Sequence, residues 1–132
     1  MGPGTLYRHV PTRRDLQAAA VADRVDRLRR RVDDLLAASP GTALADWLRA
    51  FLAHARTDRG LVGAVACDAT DDCAGAIRET ASCVLHHAQR TGAARPDVTA
   101  PDLIRLVVGI AQAPDDTQAD RLLALVLDAL TR

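Results

Sequence analysis

Aromatic residues and lysine are the residue types that this sequence uses least. The chain contains no lysine and, among 132 residues, only Trp47, Tyr7 and Phe51 are aromatic. Strands favour aromatic and β-branched residues, so the dominance of alanine and leucine favours closely packed helices over sheets. No apolar run approaches the roughly 18 residues of a membrane-spanning helix, and no segment resembles a signal peptide. We therefore expect an all-α, cytoplasmic protein that has no membrane partner.

Neither sign of charge is in excess, because 17 basic residues, all arginine, balance 17 acidic ones. The composition therefore lacks the basic excess that is typical of a domain that binds nucleic acid over its whole surface. Cys67, Cys73 and Cys83 are an odd number of cysteines without CxxC spacing, which predicts reduced thiols rather than a disulfide framework. A chain of this length is expected to form a single domain with its own core.

The regular spacing of apolar residues predicts about six helices. A stripe with intervals of three and four residues begins after Thr12 and predicts a helix over residues 12–38. Further helices are expected to begin near Thr42, Thr70, Thr99 and Thr117, and residues 61–69 form a short additional apolar piece. The arginines of the first helix are interleaved with aspartates four residues away, so we expect a solvated, self-neutralised face there rather than a DNA-binding patch.

The last two predicted helices, over residues 99–113 and 117–130, are apolar on more than one face. Such helices are buried on two sides, and only one side can be their own domain. A second copy of the chain, paired about a two-fold axis, would cover the other side with a four-helix bundle. We therefore predict a homodimer whose interface contains Leu103, Leu106, Val107, Ile110, Leu122, Leu123, Val126 and Leu130.

Catalytic chemistry is not indicated by any motif. The sequence has no phosphate-binding loop, nucleophile elbow or zinc-protease spacing, so no enzyme activity and no cofactor are expected. Cys83 and His87 lie one helical turn apart and could contribute to a metal or redox sensor, but buried cysteine and boundary histidine are commoner as structural residues. We therefore predict no metal site.

A small-molecule pocket is a further possibility for side chains beside the helical core stripes. Trp47 and His54 fall on one flank of the second helix, where the indole could supply flat apolar area and the imidazole a polar anchor. The alternative is that both side chains merely form the rim of the core. The predicted lining of this pocket is Trp47, Phe51, His54, Cys83 and His87.

The beginning of the chain carries a specific motif, Gly4-Thr5-Leu6-Tyr7-Arg8-His9-Val10-Pro11, followed by Thr12-Arg13 and Leu16. This motif resembles the end of the DNA-binding domain of TetR-family transcriptional repressors, where a recognition helix meets a connecting helix. The resemblance implies that Thr5, Tyr7 and His9 are DNA-contacting residues and that residues 1–11 are the remnant of that domain. Because a helix-turn-helix needs a supporting helix before its recognition helix, we expect Met1 to be an internal or mis-assigned start.

The resemblance continues through the rest of the chain. Gly92-Ala93-Ala94-Arg95-Pro96-Asp97-Val98 and the segments over residues 102–106 and 115–130 look like the C-terminal regulatory domain of one TetR subgroup. The resemblance implies that residues 12–132 form a TetR-like effector-binding and dimerisation domain of a repressor. It also implies a small-molecule effector, and operator DNA as a partner of a full-length parent only. The alternatives left open are a standalone helical dimerisation module that does not bind DNA and, less favoured, a Cys/His metal or redox sensor.

Overall fold

The computed structural model describes residues 13–57 and 72–131, and in these ranges it contains five helices and no strand. In chain order they are α1 (Arg13–Ala38), α2 (Ala43–Thr57), α3 (Asp72–Arg90), α4 (Ala100–Ile110) and α5 (Asp116–Leu130). The predicted all-α class is confirmed, and the helix count agrees roughly with the expected six. The additional piece predicted over residues 61–69 lies outside the described residues. None of the described helices is long and apolar enough to cross a membrane.

Helix α1 presents one apolar stripe to the rest of the domain. Val21, Val25, Leu28 and Val32 are buried, as their spacing of three and four residues predicts. The opposite face is exposed and contains ion pairs within the helix, among them Arg27 with Asp23 at 3.1 Å. Pairs of this kind between solvent-exposed side chains contribute little to stability. The face is therefore solvated, as the sequence predicts.

Helices α1, α2 and α3 share the centre of the core. Helix α2 buries Leu44, Leu48, Phe51, Leu52 and Ala55, whose spacing of three and four residues is that of one helical face. Helix α3 buries Ile77, Ala81, Val84 and Ala88, again at intervals of three and four residues. Helix α4 packs against α2 and α3, whereas α5 packs mainly against α4. Helix α5 is consequently the outermost of the described helices.

Local signals at the helix ends fix the turns between α3, α4 and α5. Gly92 has a φ of +79°, the left-handed conformation that glycine adopts readily after a helix end. The Thr99 side chain accepts a hydrogen bond from the Asp102 N–H, while the Asp102 carboxylate accepts one from the Thr99 N–H. The capping box accounts for the helix start that the sequence predicts near Thr99. Asp115 caps α5 by accepting a hydrogen bond from the Gln118 N–H at 2.7 Å.

Helix α4 is shorter than the predicted segment over residues 99–113. It ends at Ile110, after which Gln112 N–H bonds to Gly109 O and Ala113 N–H bonds to Ile110 O, both with the tighter i→i+3 spacing. Pro114 explains this change, because a residue that precedes proline disfavours the α-helical conformation. The result is a short corner that turns the chain from α4 into α5.

Candidate effector and dimerisation sites

Trp47 lies at the centre of the domain and connects α2 with α1. Its side chain is fully buried, and its indole Nε1–H donates a hydrogen bond to the backbone carbonyl of Leu28 at 3.1 Å. The ring of Phe51, one turn further along α2, lies 5.3 Å from the indole at an interplanar angle of 44°, a tilted geometry that aromatic pairs favour. A buried indole requires a hydrogen-bond acceptor, so the position of Trp47 depends on the position of α1.

His54 forms a second polar contact between the same two helices. Nη1 of Arg24 in α1 lies 3.3 Å from Nδ1 of His54 in α2. Because a guanidinium can only donate, Nδ1 must accept, which places the proton of a neutral imidazole on Nε2. His54 is half-buried, one turn beyond the aromatic pair. The α1–α2 contact therefore combines a buried aromatic centre with a polar edge.

A surface groove of about 630 Å³ lies between α3 and the chain entering α4. Arg78, Ser82, Leu85 and Gln89 recur along α3 at intervals of four and three residues, which places them on one side of the helix. The amide of Gln89 donates to the carbonyls of Arg95 at 3.1 Å and Val98 at 2.9 Å, which fixes the opposite wall. The complete lining is Arg78, Glu79, Ser82, Cys83, Leu85, His86, Gln89, Val98, Thr99 and Ala100.

The predicted pocket residues occupy different environments. Trp47 and Phe51 lie in the core, His54 lies at the α1–α2 edge, and Cys83 is exposed and lines the groove. His87 is half-buried, and its Nε2 atom is enclosed without a hydrogen-bond partner. Cys83 is the only member of the predicted set that lines this groove. The groove-lining side of α3 was missed because it mixes charged, polar and apolar residues, although its four-and-three spacing was a readable signal.

A metal site is not formed by the described parts of the chain. Within residues 13–57 and 72–131, no group of three or more His, Cys, Asp or Glu side chains is arranged to hold a metal ion. Cys83 and His86 share the groove lining, but two such side chains are fewer than the four ligands of a structural zinc site.

The predicted dimer residues divide between the domain interior and the surface. Leu103, Val107, Ile110, Leu123 and Leu130 are buried within the chain itself. Leu106, by contrast, is 42% exposed, and Leu122 and Val126 are half-buried. Leu125 was not in the predicted set, yet it is the most exposed large apolar residue among the described ones, at 62%.

These apolar residues, which are at least partly exposed, lie on α4 and α5, two helices that pack against each other. On α5, Leu122 and Leu125 are three residues apart and Val126 follows, so all lie on adjacent sides of the helix. Leu106 contributes from α4, where its neighbour at the next turn, Gly109, is exposed and has open space around it. We refer to Leu106, Leu122, Leu125 and Val126 as the apolar face.

Comparison with known proteins agrees with this architecture. Residues 39–132 match the family described as the C-terminal domain of SbtR-like transcriptional regulators. The chain is also 37% identical to the TetR transcriptional regulator SCO0520 from Streptomyces coelicolor, whose crystal structure it matches with a TM-score of 0.75. That match covers 98% of this chain and 81% of the other. This chain belongs to the TetR family. None of the curated proteins used for comparison is similar to it.

The family match can be compared with the described helices one by one. The family match includes α2 to α5 and thus both the aromatic core and the apolar face. Helix α1 precedes the matched residues and occupies the position of the predicted connecting helix. Thr5, Tyr7 and His9, the predicted DNA-contacting residues, lie outside the described residues. The prediction that the chain contains a TetR-family C-terminal domain is confirmed.

Proposed function

We propose that this chain is the regulatory domain of a TetR-type repressor, that it dimerises through α4 and α5, and that it binds a small-molecule effector. The proposal assigns no catalytic role to any residue. The observation that carries it is the apolar face, since Leu106 and Leu125 are strongly exposed on helices that the TetR family match includes. Apolar side chains grouped on one surface indicate an interaction site.

The proposed dimer buries the apolar face against its own copy. A two-fold axis brings the same side chains of both subunits together, so that each apolar contact occurs twice. Leu106, Leu122, Leu125 and Val126 form the contact surface, whereas Leu103, Val107, Ile110, Leu123 and Leu130 support it from inside each subunit. The exposed, open Gly109 allows a facing helix to approach α4 closely.

Sedimentation tests the dimer directly. One chain has a mass of 14.1 kDa, so a dimer has twice that mass. We expect the dimer to dominate at micromolar concentration. A protein that sediments only as a 14.1 kDa species would contradict both the dimer and the repressor mechanism that depends on it.

The proposed effector site lies where α1, α2 and α3 meet. Trp47, Phe51, His54, Cys83 and His87 remain the proposed ligand-binding residues. Of these, Trp47 and His54 contact α1, whereas Cys83 lies at the surface groove. An effector that displaces the Trp47 side chain would break the hydrogen bond from the indole to the Leu28 carbonyl. Binding would then favour a different placement of α1. An effector shifts the equilibrium between two conformations only if it binds one of them more tightly than the other.

Tryptophan fluorescence provides the test, because Trp47 is the only tryptophan. A panel of flat hydrophobic compounds should contain members that quench Trp47 emission in a saturable manner. His54→Leu should weaken this binding, whereas Ser82→Ala, a change in the surface groove, serves as the matched control. If quenching is abolished by Ser82→Ala and unaffected by His54→Leu, the effector binds the groove instead of the core.

Operator binding is proposed for a parent chain that has a complete helix-turn-helix, with Thr5, Tyr7 and His9 as its contacts at the end of the recognition helix. We expect the 132-residue chain alone to show no sequence-specific operator affinity. An electrophoretic shift by this chain that survives physiological salt and excess competitor DNA would contradict the proposal.

A further inference from the structure

Arg56, in the last turn of α2, extends across to the corner between α4 and α5. Its Nη1 donates hydrogen bonds to the carbonyl oxygens of Ala113 at 3.0 Å and Ala111 at 3.3 Å. Its Nε donates to Oδ1 of Asp116 at 2.8 Å. One side chain therefore contacts the end of α4, the corner itself and the first turn of α5.

The charge of Arg56 suits this position. The carbonyls at the end of a helix lack partners within the helix and carry partial negative charge, and α4 has no basic residue of its own in its last turn. Arg56 supplies that positive charge from another helix. Its planar guanidinium presents several donors in a fixed arrangement, which lets it bond to two carbonyls and a carboxylate at once.

The carbonyl contacts outweigh the ion pair in this arrangement. The Arg56 side chain is only 19% exposed, whereas that of Asp116 is 89% exposed. An ion pair whose carboxylate is so open to water is screened and contributes little. Hydrogen bonds from a charged, largely buried donor to carbonyls are stronger, and their loss leaves polar groups without partners.

Helix α5 depends on hydrogen bonds at its ends more than the other described helices do, because it packs mainly against α4. At its far end, the carbonyl of Leu130 accepts a hydrogen bond from the Arg95 backbone N–H at 2.9 Å. At its near end, Arg56 ties the preceding corner to α2. The two anchors fix both ends of the helix that carries most of the apolar face.

We propose that Arg56 is a positioning residue for dimerisation, which sets the orientation of α5 relative to α2 and thereby the shape of the apolar face. This inference rests on the dimer proposed above. Arg56 is also a polar connection between α2, which carries Trp47, and the helices of the proposed interface.

The test replaces Arg56 by methionine, which keeps an apolar stem of similar length and removes every donor. We expect amide hydrogen exchange in α5 to accelerate by about tenfold or more while exchange in α1 stays nearly unchanged, since local opening is independent of global unfolding. The dimer dissociation constant should also rise by about tenfold or more. Arg49→Met is the matched control on the same helix, because Arg49 is 60% exposed and pairs with Asp46 at 3.1 Å within that helix.

Two further variants separate the contacts. Asp116→Asn removes the ion pair and keeps the carbonyl bonds, so it should resemble the Arg49→Met control. Arg56→Lys retains the charge but replaces the planar fork with one ammonium group, and it should restore part of the lost dimer affinity. It also provides a milder variant in case the methionine variant does not fold.

The outcomes are distinguishable. A dimer whose dissociation constant and α5 exchange are the same in Arg56→Met and Arg49→Met would overturn the inference and leave the proposed dimer intact. Equal acceleration of α1 and α5 would show that Arg56 contributes only to global stability, which also overturns it. If the unmodified protein never dimerises, the proposed function fails first and the inference fails with it.

Discussion

Leu125 offers the sharpest test of the apolar face, because its exposed fraction predicts how much its burial contributes to the free energy of dimerisation. The side chain is 62% exposed in the single chain. Complete burial of a leucine is worth about 1.5–3 kcal/mol, so covering the exposed part is worth about 1–2 kcal/mol per subunit. A two-fold interface counts the contact twice, which gives about 2–4 kcal/mol per dimer and a roughly 30- to 700-fold effect on the dissociation constant.

The perturbation is Leu125→Ser, measured by sedimentation over a range of concentrations. We expect the dimer dissociation constant to rise by the factor derived above. The free energy of unfolding of the monomer should change by only about 0.5 kcal/mol, as is usual for surface substitutions. Leu16→Ser is the matched control, since Leu16 is 59% exposed but lies on α1, away from the proposed interface. Equal effects of the two variants on dimerisation would refute the assignment of the interface to α4 and α5.

Three other predictions concern individual contacts. Trp47→Phe should lower the free energy of unfolding by about 2–4 kcal/mol, measured by circular dichroism in denaturant, because it opens a cavity in a fully buried site and removes the indole hydrogen bond. Thr99→Ala should cost about 1 kcal/mol in a thermal melt by breaking the capping box with Asp102. The hydrogen bond from Arg95 lowers the pKa of Asp97 below its ordinary 3.8. The contribution of this contact to folding stability is therefore fully present above pH 3.8 and is lost as the pH falls through the folded-state pKa. An ordinary pKa for Asp97 in a carboxyl NMR titration would contradict this.

Features that depend on one helix at a time were predictable from the sequence. The end of α1 at Ala38, the buried face of α2 and the capping box at Thr99 each follow from spacing or from residue type within a few positions. The motifs shared with TetR regulators then indicated how such helices are arranged. Periodicity alone could not have given this arrangement, because it does not determine which helices pack together.

Features that depend on the relative placement of helices were not predictable. Leu103 and Leu106 are both apolar and one turn apart, yet Leu103 is buried in the chain while Leu106 is 42% exposed. The sequence shows that both sides of α4 are apolar and does not show which side α2 and α3 cover. Arg56 is a similar case, because its partners lie more than fifty positions away along the chain. No local pattern distinguishes it from the exposed Arg49.

The length of α1 has a mechanical consequence. With 26 residues the helix is about 39 Å long, and Trp47 contacts it at Leu28, well away from the helix start at Arg13. The 15 positions between Leu28 and Arg13 span about 22 Å, so a tilt of about 5° at the Trp47 contact moves the start of the helix by about 2 Å. A tilt of α1 about this contact would therefore displace the start of the helix more than the buried Val21 and Val25 or the Arg24–His54 contact, because the displacement grows with distance from Leu28.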